Sequence, residues 1–204
     1  MPARATAGQA PWAEPFGADT LRAEAPGLTF TGHRAPRSRW FLVTHTGVAA
    51  RVDGGSIYTR KPAYLLVDFG AMRNVTGRLA LGGNLYLGAD DYRSRFGPKA
   101  RVRYWLGDND AVDIAGGVLL DGADDWKGHA IFPGYVAEAS VSLEEAIMLT
   151  GAVESIRVRG ENGVEDQDTS WYVGGKLGGV AGTIVAGAGL LVALLFEATL
   201  GQWD

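Results

Sequence analysis

Histidines are the first candidates for chemistry in this chain, because a neutral imidazole can bind a metal ion or move a proton near pH 7. The sequence contains three of them, His33, His45 and His129. None has the H-x-x-x-H or H-E-x-x-H spacing that brings two imidazoles to one helix face around zinc. The chain also lacks cysteine, so no thiolate can complete a metal site. We predict hydrogen-bonded or solvent-facing structural roles for the three histidines.

Acidic residues are the second candidates, since carboxylates bind calcium and act as acids or bases. Two groups of aspartates occur, but neither follows the D-x-[DN]-x-[DN]-G spacing with a later glutamate, and aspartate is common in turns. Glu144 and Glu145 are adjacent, so their carboxylates point apart and make a poor acid–base pair. The two groups are Asp108, Asp110 and Asp113, and Asp121, Asp124 and Asp125. The sequence predicts no catalytic residue, no metal site, no cofactor and no enzymatic activity.

A basic cluster indicates an interaction more strongly. The net charge is −4, but residues 1–61 carry eight Lys and Arg against four Asp and Glu, whereas 62–204 carry eleven against nineteen. Arg34, Arg37 and Arg39 stand just before Trp40. Guanidinium groups pair with lipid phosphates or with the carboxylates of a partner subunit, although a solvated strand start has the same composition. We predict lipid or partner contacts here, and no nucleic-acid binding because no reader motif is present.

The first 39 residues read as an extended arm rich in Pro, Ala and Gly. Such a composition buries too little apolar surface to fold alone, so we expect Trp12 and Phe16 to fix the arm on a partner. The arm has no apolar run of the length found in signal peptides, which favours a protein that is not exported.

Residues 40–170 alternate between apolar and polar side chains with period two, interrupted by Gly, Asp and Asn. We predict about seven antiparallel strands joined by hairpins, forming a meander sheet or small barrel. A helix over Leu143–Thr150 is the alternative at one point, because Ser142–Glu145 resembles a helix start. In Phe96–Leu106, Arg101 and Arg103 share one face, which we predict to be solvated or to contact a partner.

The alternation of aromatic, leucine and arginine residues between Gly and Asp turns in Tyr64–Gly88 and Phe96–Leu120 resembles that of small bacterial outer-membrane barrels. This resemblance implies a small barrel, although the same alternation is equally typical of a soluble barrel or sheet. An exported outer-membrane barrel, or a membrane-tethered barrel that binds a small ligand, is therefore the alternative function.

Residues 171–204 are predicted to form a membrane anchor. The run Leu177–Phe196 has no charge and would span about 30 Å as a helix, the thickness of a bilayer core. Small residues at helical spacing predict a close-packing face: Gly178, Gly179, Gly182, Thr183, Ala186 and Gly187. The residues expected at the membrane interfaces are Trp171, Tyr172, Lys176 and Trp203. The alternative is a strand hairpin with its tip at Gly187–Gly189.

Together these features predict a mainly β protein with a single C-terminal transmembrane helix. Basic residues precede the run and none follows it, which places the β domain in the cytoplasm of a bacterium and the C-terminus across the inner membrane. The predicted function is a non-enzymatic accessory subunit that stabilises a multi-subunit membrane complex, by analogy a photosynthetic reaction centre–light-harvesting assembly. The helix has no histidine to bind pigment, so its expected partners are other subunits and lipid.

Overall fold

Alternating side chains produce ten β-strands in the computed structural model of the protein. The structure describes residues 28–29, 32, 34, 39–52, 63–89, 94–122, 128–160, 163–185 and 187–188. The strands are β1 (Leu28–Thr29), β2 (Trp40–Arg51), β3 (Ala63–Asn74), β4 (Leu79–Ala89), β5 (Ser94–Trp105), β6 (Ala111–Leu119), β7 (Asp121–Gly122), β8 (Gly128–Leu143), β9 (Ile147–Gly160) and β10 (Glu165–Leu177).

Eight of these strands close into an antiparallel barrel. The neighbours follow the order β2, β3, β4, β5, β6, β8, β9 and β10, and β10 pairs back to β2 from Tyr172 opposite Arg51 to Leu177 opposite Thr46. Closure gives every barrel strand a partner on both sides and so removes the free edges of an open sheet. The short β1 pairs in parallel with the start of β2, and β7 pairs with β5. Of the two predicted forms, a meander sheet or a small barrel, the structure has the antiparallel barrel, with eight strands instead of about seven.

The two ends of the barrel differ. At one end, which we call the turn end, strands are joined by 75–78, 106–110 and 144–146. At the other, the loop end, they are joined by 52–62, 90–93, 120–127 and 161–164. The segment 144–146 is a turn in which Glu144 and Glu145 have φ of 51° and 59°. The structure therefore has strands on both sides of this turn and no helix over Leu143–Thr150.

The faces of the strands are reversed relative to a water-soluble barrel. Along β5, Lys99, Arg101 and Arg103 point inward and are buried, while Val102 and Tyr104 point outward and are exposed. The prediction that Arg101 and Arg103 form a solvated or partner-facing surface is wrong. Their partners are carboxylates on other strands, which the spacing within β5 cannot reveal.

The interior is layered along the barrel axis. An apolar cluster that includes Phe41, Met72 and Trp105 lies toward the turn end. A second apolar cluster that includes Leu66 and Leu119 lies toward the loop end. Charged side chains lie between the two clusters, and Arg103 and Arg95 also lie over aromatic rings that belong to them.

Inward-facing glycines permit the tight curvature of the wall. A Cβ atom on Gly97 of β5 would collide with the carbonyl oxygen of Val118, and one on Gly117 of β6 would collide with that of Pro98. In contrast, a Cβ on the outward Gly116 would lie 3.8 Å from its nearest neighbour, the carbonyl oxygen of Val136. At Gly97 and Gly117 the neighbouring strand therefore lies so close that a larger residue would collide with its backbone.

The predicted transmembrane helix over Leu177–Phe196 has no support in the described part of that run; residues 186 and 189–196 lie outside the described residues. Leu177 is the last residue of β10, and the chain then turns into a short helix over 179–185. Among the residues that the structure describes, no helix is long and apolar enough to cross a membrane. The assignment failed because an uncharged, glycine-rich run meets the length rule for a membrane helix even when its first residue completes a strand.

The short helix packs on the outside of β2 instead. The Gly178 amide donates to the Ala146 carbonyl at 2.9 Å, and the Thr46 hydroxyl donates to the Gly182 carbonyl at 3.1 Å. Thr44 and Thr46 face outward on β2 yet are buried. The small residues predicted to contact another membrane helix thus lie just after β10. There they begin a segment that packs on the barrel's own outer wall.

Candidate functional site

Asp68 is the centre of a buried ion cluster inside the barrel. Its carboxylate accepts hydrogen bonds from Lys176 Nζ at 2.7 Å and from Arg101 Nη2 at 3.3 Å. Lys99 Nζ lies 2.8 Å from the other carboxylate oxygen. These side chains come from β3, β5 and β10, and none of the four is measurably exposed. Only barrel closure brings them together.

Glu138 of β8 supplies the second carboxylate to the same cations. Lys176 Nζ donates to its Oε1 at 2.5 Å and Lys99 Nζ to its Oε2 at 2.7 Å. Arg101 Nη2 lies 3.6 Å from Oε1. Each lysine thus bridges Asp68 and Glu138, which distributes the charges across the barrel.

Asp113 and Glu145 extend the cluster toward the turn end. Arg103 binds Asp113 through two nitrogens, at 2.6 and 2.7 Å, and Arg101 Nη1 donates to the same carboxylate at 3.0 Å. Arg103 also pairs with Glu145, which accepts the backbone N–H of Gly32 at 3.2 Å. Four cations therefore face four carboxylates, and this balance offsets the cost of removing the charges from water.

His45 is the only candidate histidine whose side chain lies within the described structure. Arg101 Nη1 is 3.3 Å from its Nδ1, and the imidazole is buried. Because a guanidinium can only donate, Nδ1 accepts this bond and the ring proton of a neutral imidazole lies on Nε2. Within the described residues no group of three or more His, Cys, Asp or Glu could hold a metal ion. The backbone of His129 lies in β8, and His33 lies outside the described residues.

A second polar cluster lies nearer the loop end around Glu154. Its Oε1 accepts the Tyr86 hydroxyl at 2.7 Å and the Tyr64 hydroxyl at 3.3 Å. Arg95 Nε lies 3.0 Å from Oε2, and its guanidinium stacks over the Tyr64 ring at 4.8 Å and the Tyr172 ring at 5.7 Å. Aromatic rings around the Arg95–Glu154 ion pair thus fill the barrel near the loop end.

The outer wall has the opposite character. Within the described strands, every outward position between the rim at Trp40 and that at Trp171 is uncharged. We call this surface the apolar band. Its large exposed side chains include Leu65, Phe69, Leu81, Leu85, Leu87, Val102, Ile114, Val141, Leu149 and Val173.

Aromatic residues mark both borders of the apolar band. Trp40 and Tyr104 are exposed at the turn end, and Phe96, Tyr135 and Trp171 are exposed toward the loop end. From Phe96 to Tyr104 the strand rises about 27 Å, or about 21 Å of height at a barrel tilt of about 40°. One outward charge, Arg73 on β3, lies at the turn-end border opposite Trp40. Outward charges beyond the loop-end border lie on the β9–β10 hairpin, at Arg157, Arg159 and Glu165.

The predicted interface residues therefore have different positions from those expected. Trp171 is outward and exposed, but Tyr172 and Lys176 point into the barrel, and Lys176 is buried. The expectation that Tyr172 and Lys176 lie at a membrane interface is wrong, because both belong to a strand whose alternate residues face inward. Trp203 lies outside the described residues.

The residues of the N-terminal region that were predicted to contact lipid or a partner also lie in different environments. Arg39 and Trp40 are exposed at the turn end. Arg34 Nε instead donates to the Gly77 carbonyl at 2.7 Å and its amide to the Asp108 carbonyl at 3.0 Å, so it ties the chain across the turns. The remaining members, Trp12, Phe16 and Arg37, and Ala186 of the small-residue set, lie outside the described residues.

The interior carboxylates Asp68, Glu138 and Glu154 were missed by the sequence analysis. One signal could have identified the interior. In β5 one face carries Lys99, Arg101 and Arg103, and the other face of the same strand carries Ala100, Val102 and Tyr104. A strand with a charged face and a wholly apolar face belongs either to a soluble sheet or to a barrel with lipid outside. Only contacts with the other strands decide between the two.

Comparison of the chain with protein-family models, with curated proteins and with solved structures gives no match. The class is therefore defined by the structure itself. The protein is a closed eight-stranded antiparallel β-barrel with a charged, side-chain-filled interior and an apolar outer wall.

Proposed function

We propose that the protein is an integral membrane β-barrel of the bacterial outer membrane with a structural or accessory role. The observation that carries this proposal is the apolar band, which surrounds an interior holding eight charged side chains in its central cluster. Such a distribution matches a lipid solvent outside and is the reverse of what water favours.

Exposed area supports a lipid environment. Soluble monomers rarely expose contiguous apolar patches of more than a few hundred Å². Here exposed leucine, isoleucine, valine and phenylalanine side chains continue from strand to strand, including Leu65, Leu85, Ile114 and Leu149. Because the barrel is closed, all its strands can satisfy their backbone hydrogen bonds with neighbours, as a spanning structure must.

The filled interior supports a structural role. Each charged group of the central cluster is paired with at least one opposite charge, and apolar clusters lie on both sides of it. Eight strands enclose a space just wide enough for side chains to fill. A barrel of this kind acts as a rigid membrane body that presents loops and an outer wall, rather than as a wide aqueous channel.

An accessory function in a larger membrane assembly, including a photosynthetic one, is the more specific form of the proposal. The outer wall and the turn end are the surfaces on which partner subunits would bind. Native electrophoresis of gently solubilised membranes, followed by identification of co-purifying proteins, tests this part. A barrel that migrates only as a monomer contradicts the accessory role without affecting membrane insertion.

Reconstitution tests the membrane placement directly. The protein should fold when diluted from urea into lipid vesicles and should then migrate differently on SDS gels before and after heating, because the closed barrel resists the detergent until it is heated. It should also float with the vesicles after an alkaline wash. Folding to a monomer in detergent-free buffer, with no association with vesicles, would contradict the proposal.

A further inference from the structure

An outward-facing group of arginine and aromatic side chains lies at the turn end, just beyond the apolar band. It consists of Arg39, Trp40, Arg73, Arg78 and Tyr104, and we call it the arginine rim. Arg73 pairs with Trp40 across β2 and β3, and its guanidinium lies 5.6 Å from the Trp40 ring centroid. From the connection that precedes β4, Arg78 Nη1 donates to the Tyr104 hydroxyl of β5 at 3.4 Å.

Two members of the arginine rim, Arg39 and Arg73, carry positive charge without an ion-pair partner among the described residues. Neither forms a hydrogen bond or ion pair through its side chain within the described part of the chain, and the Arg73 guanidinium lies over the face of Trp40. At the opposite end of the barrel, Arg159 pairs with Glu165 on the neighbouring strand. Within the described residues, the β9–β10 hairpin at the loop end thus contains an exposed ion pair, while the β2–β3 part of the turn-end border presents two arginines without one.

Position determines which anion can reach these groups. Trp40 and Tyr104 are about half exposed on the outer wall, as expected of aromatic rings at the level of lipid headgroups. A guanidinium beside such a ring lies at the depth of the phosphate layer, and its planar fork binds phosphate oxygens through two parallel hydrogen bonds. Stacking on Trp40 holds Arg73 against the wall rather than extended into water.

We propose that the arginine rim binds the phosphate of anionic phospholipid headgroups in the leaflet at the turn end. This inference rests on the proposed membrane placement and adds a ligand class and a location to it. Arg39 and Arg73 supply the charge, Trp40 positions Arg73, and the apolar band below them accommodates the acyl chains.

Native mass spectrometry of the folded barrel in detergent, titrated with phosphatidylglycerol or phosphatidylcholine, tests the proposal. The wild type should bind phosphatidylglycerol in preference to phosphatidylcholine. Attraction of an arginine to an anionic surface corresponds to about a fivefold affinity change, so R39Q/R73Q should lose about 25-fold in phosphatidylglycerol affinity. Binding of phosphatidylcholine should change little.

Three controls make the result specific. R157Q/R159Q removes the same charge at the loop end and should keep the preference for phosphatidylglycerol. R39K/R73K keeps the charge without the fork and should lose less than R39Q/R73Q. Inorganic phosphate at the same concentrations should not displace the lipid, since it lacks acyl chains.

The inference is overturned if R39Q/R73Q and R157Q/R159Q reduce phosphatidylglycerol binding equally, if the wild type shows no preference, or if free phosphate competes as well as the lipid. Heat-modifiable migration in each variant shows that the barrel is folded. A barrel that inserts into vesicles without lipid preference contradicts only the arginine rim, whereas a chain that fails to insert contradicts the membrane placement.

Discussion

At the scale of single residues, Lys176 shows what holds the interior together. Its ammonium group is fully buried and lies 2.7 Å from Asp68 and 2.5 Å from Glu138. A buried charge is tolerated only with close opposite charges, and removing one partner leaves the others uncompensated. Asp68 lies 108 positions away in the sequence. No local pattern could therefore predict this contact, although the inward alternation of β10 is visible once the strand is recognised.

We expect K176M to destabilise the folded barrel by about 3–5 kcal/mol, because two carboxylates then share fewer cations. The double variant K176M/E138Q removes one carboxylate as well and should be more stable than K176M alone. Urea unfolding in lipid vesicles measures both. R159Q is the matched surface control, since its ion pair with Glu165 is exposed and screened by water, so its loss should change the stability much less than K176M does. Equal effects of K176M and R159Q would contradict the role of the central cluster.

Glu165 at the loop end provides a test of the hairpin that lies beyond the apolar band. The hydrogen bond from Arg159 lowers the pKa of this carboxyl below its ordinary value, and the Arg159 charge adds to the shift. A lowered carboxyl pKa means that the pair is present above that pKa and is lost as the pH falls through it. In R159Q, a carboxyl-carbon NMR titration should show the Glu165 pKa rising to its ordinary value, with a smaller rise in R157Q. An unchanged midpoint in R159Q would show that the two side chains do not interact in solution.

At the scale of elements, side-chain alternation predicts most of the strands. It does not predict which face of a strand points inward, and it did not identify the last strand, β10. On β4 the sequence separates Leu81, Leu85 and Leu87 from Asn84 and Tyr86, and the structure confirms two faces. Which face is inside depends on cross-strand partners. The last strand was missed because its residues 165–168 are polar and acidic and its end joins the uncharged run used to assign a helix. Burial of alternate residues, rather than local propensity, makes this segment a strand.

Adjacent glycines on β6 test the difference between the two faces. Gly117 points inward, where a Cβ would collide with the Pro98 carbonyl, whereas a Cβ on Gly116 meets only ordinary van der Waals distances. G117A should destabilise the barrel by about 1–3 kcal/mol through overpacking against backbone. G116A should be neutral or stabilising by up to about 1 kcal/mol, because alanine lowers the entropy of the unfolded chain. Similar unfolding midpoints for the two variants would contradict the close approach of β5 and β6.

At the scale of the whole molecule, the class of fold could be predicted from the sequence, but the face of the strands that forms the outer wall could not. Alternation and turn spacing indicated a small antiparallel barrel, which the structure confirms. The charged face of β5 was assigned to water because a lone strand gives no sign of what lies across the barrel. Inside the barrel, Arg101 and Arg103 pair with Asp68 and Asp113. The charged face of β5 is therefore the inner face, and the apolar face belongs to the outer wall. The environment of the barrel is thus a property of all eight strands together.

The apolar band yields a prediction for insertion itself. Leu85 lies outward near the middle of β4, whereas Gln167 lies outward on β10 beyond the Trp171 border. An arginine at the bilayer midplane costs about 2–4 kcal/mol, falling to about 0–1 kcal/mol near the interface. L85R should therefore reduce the folding free energy in vesicles by about 2–4 kcal/mol, and Q167R by less than about 1 kcal/mol, as measured by urea titration with Trp fluorescence. The depth dependence separates lipid from water: if the wall faced water, L85R would fold as well as Q167R in vesicles and would improve solubility in detergent-free buffer.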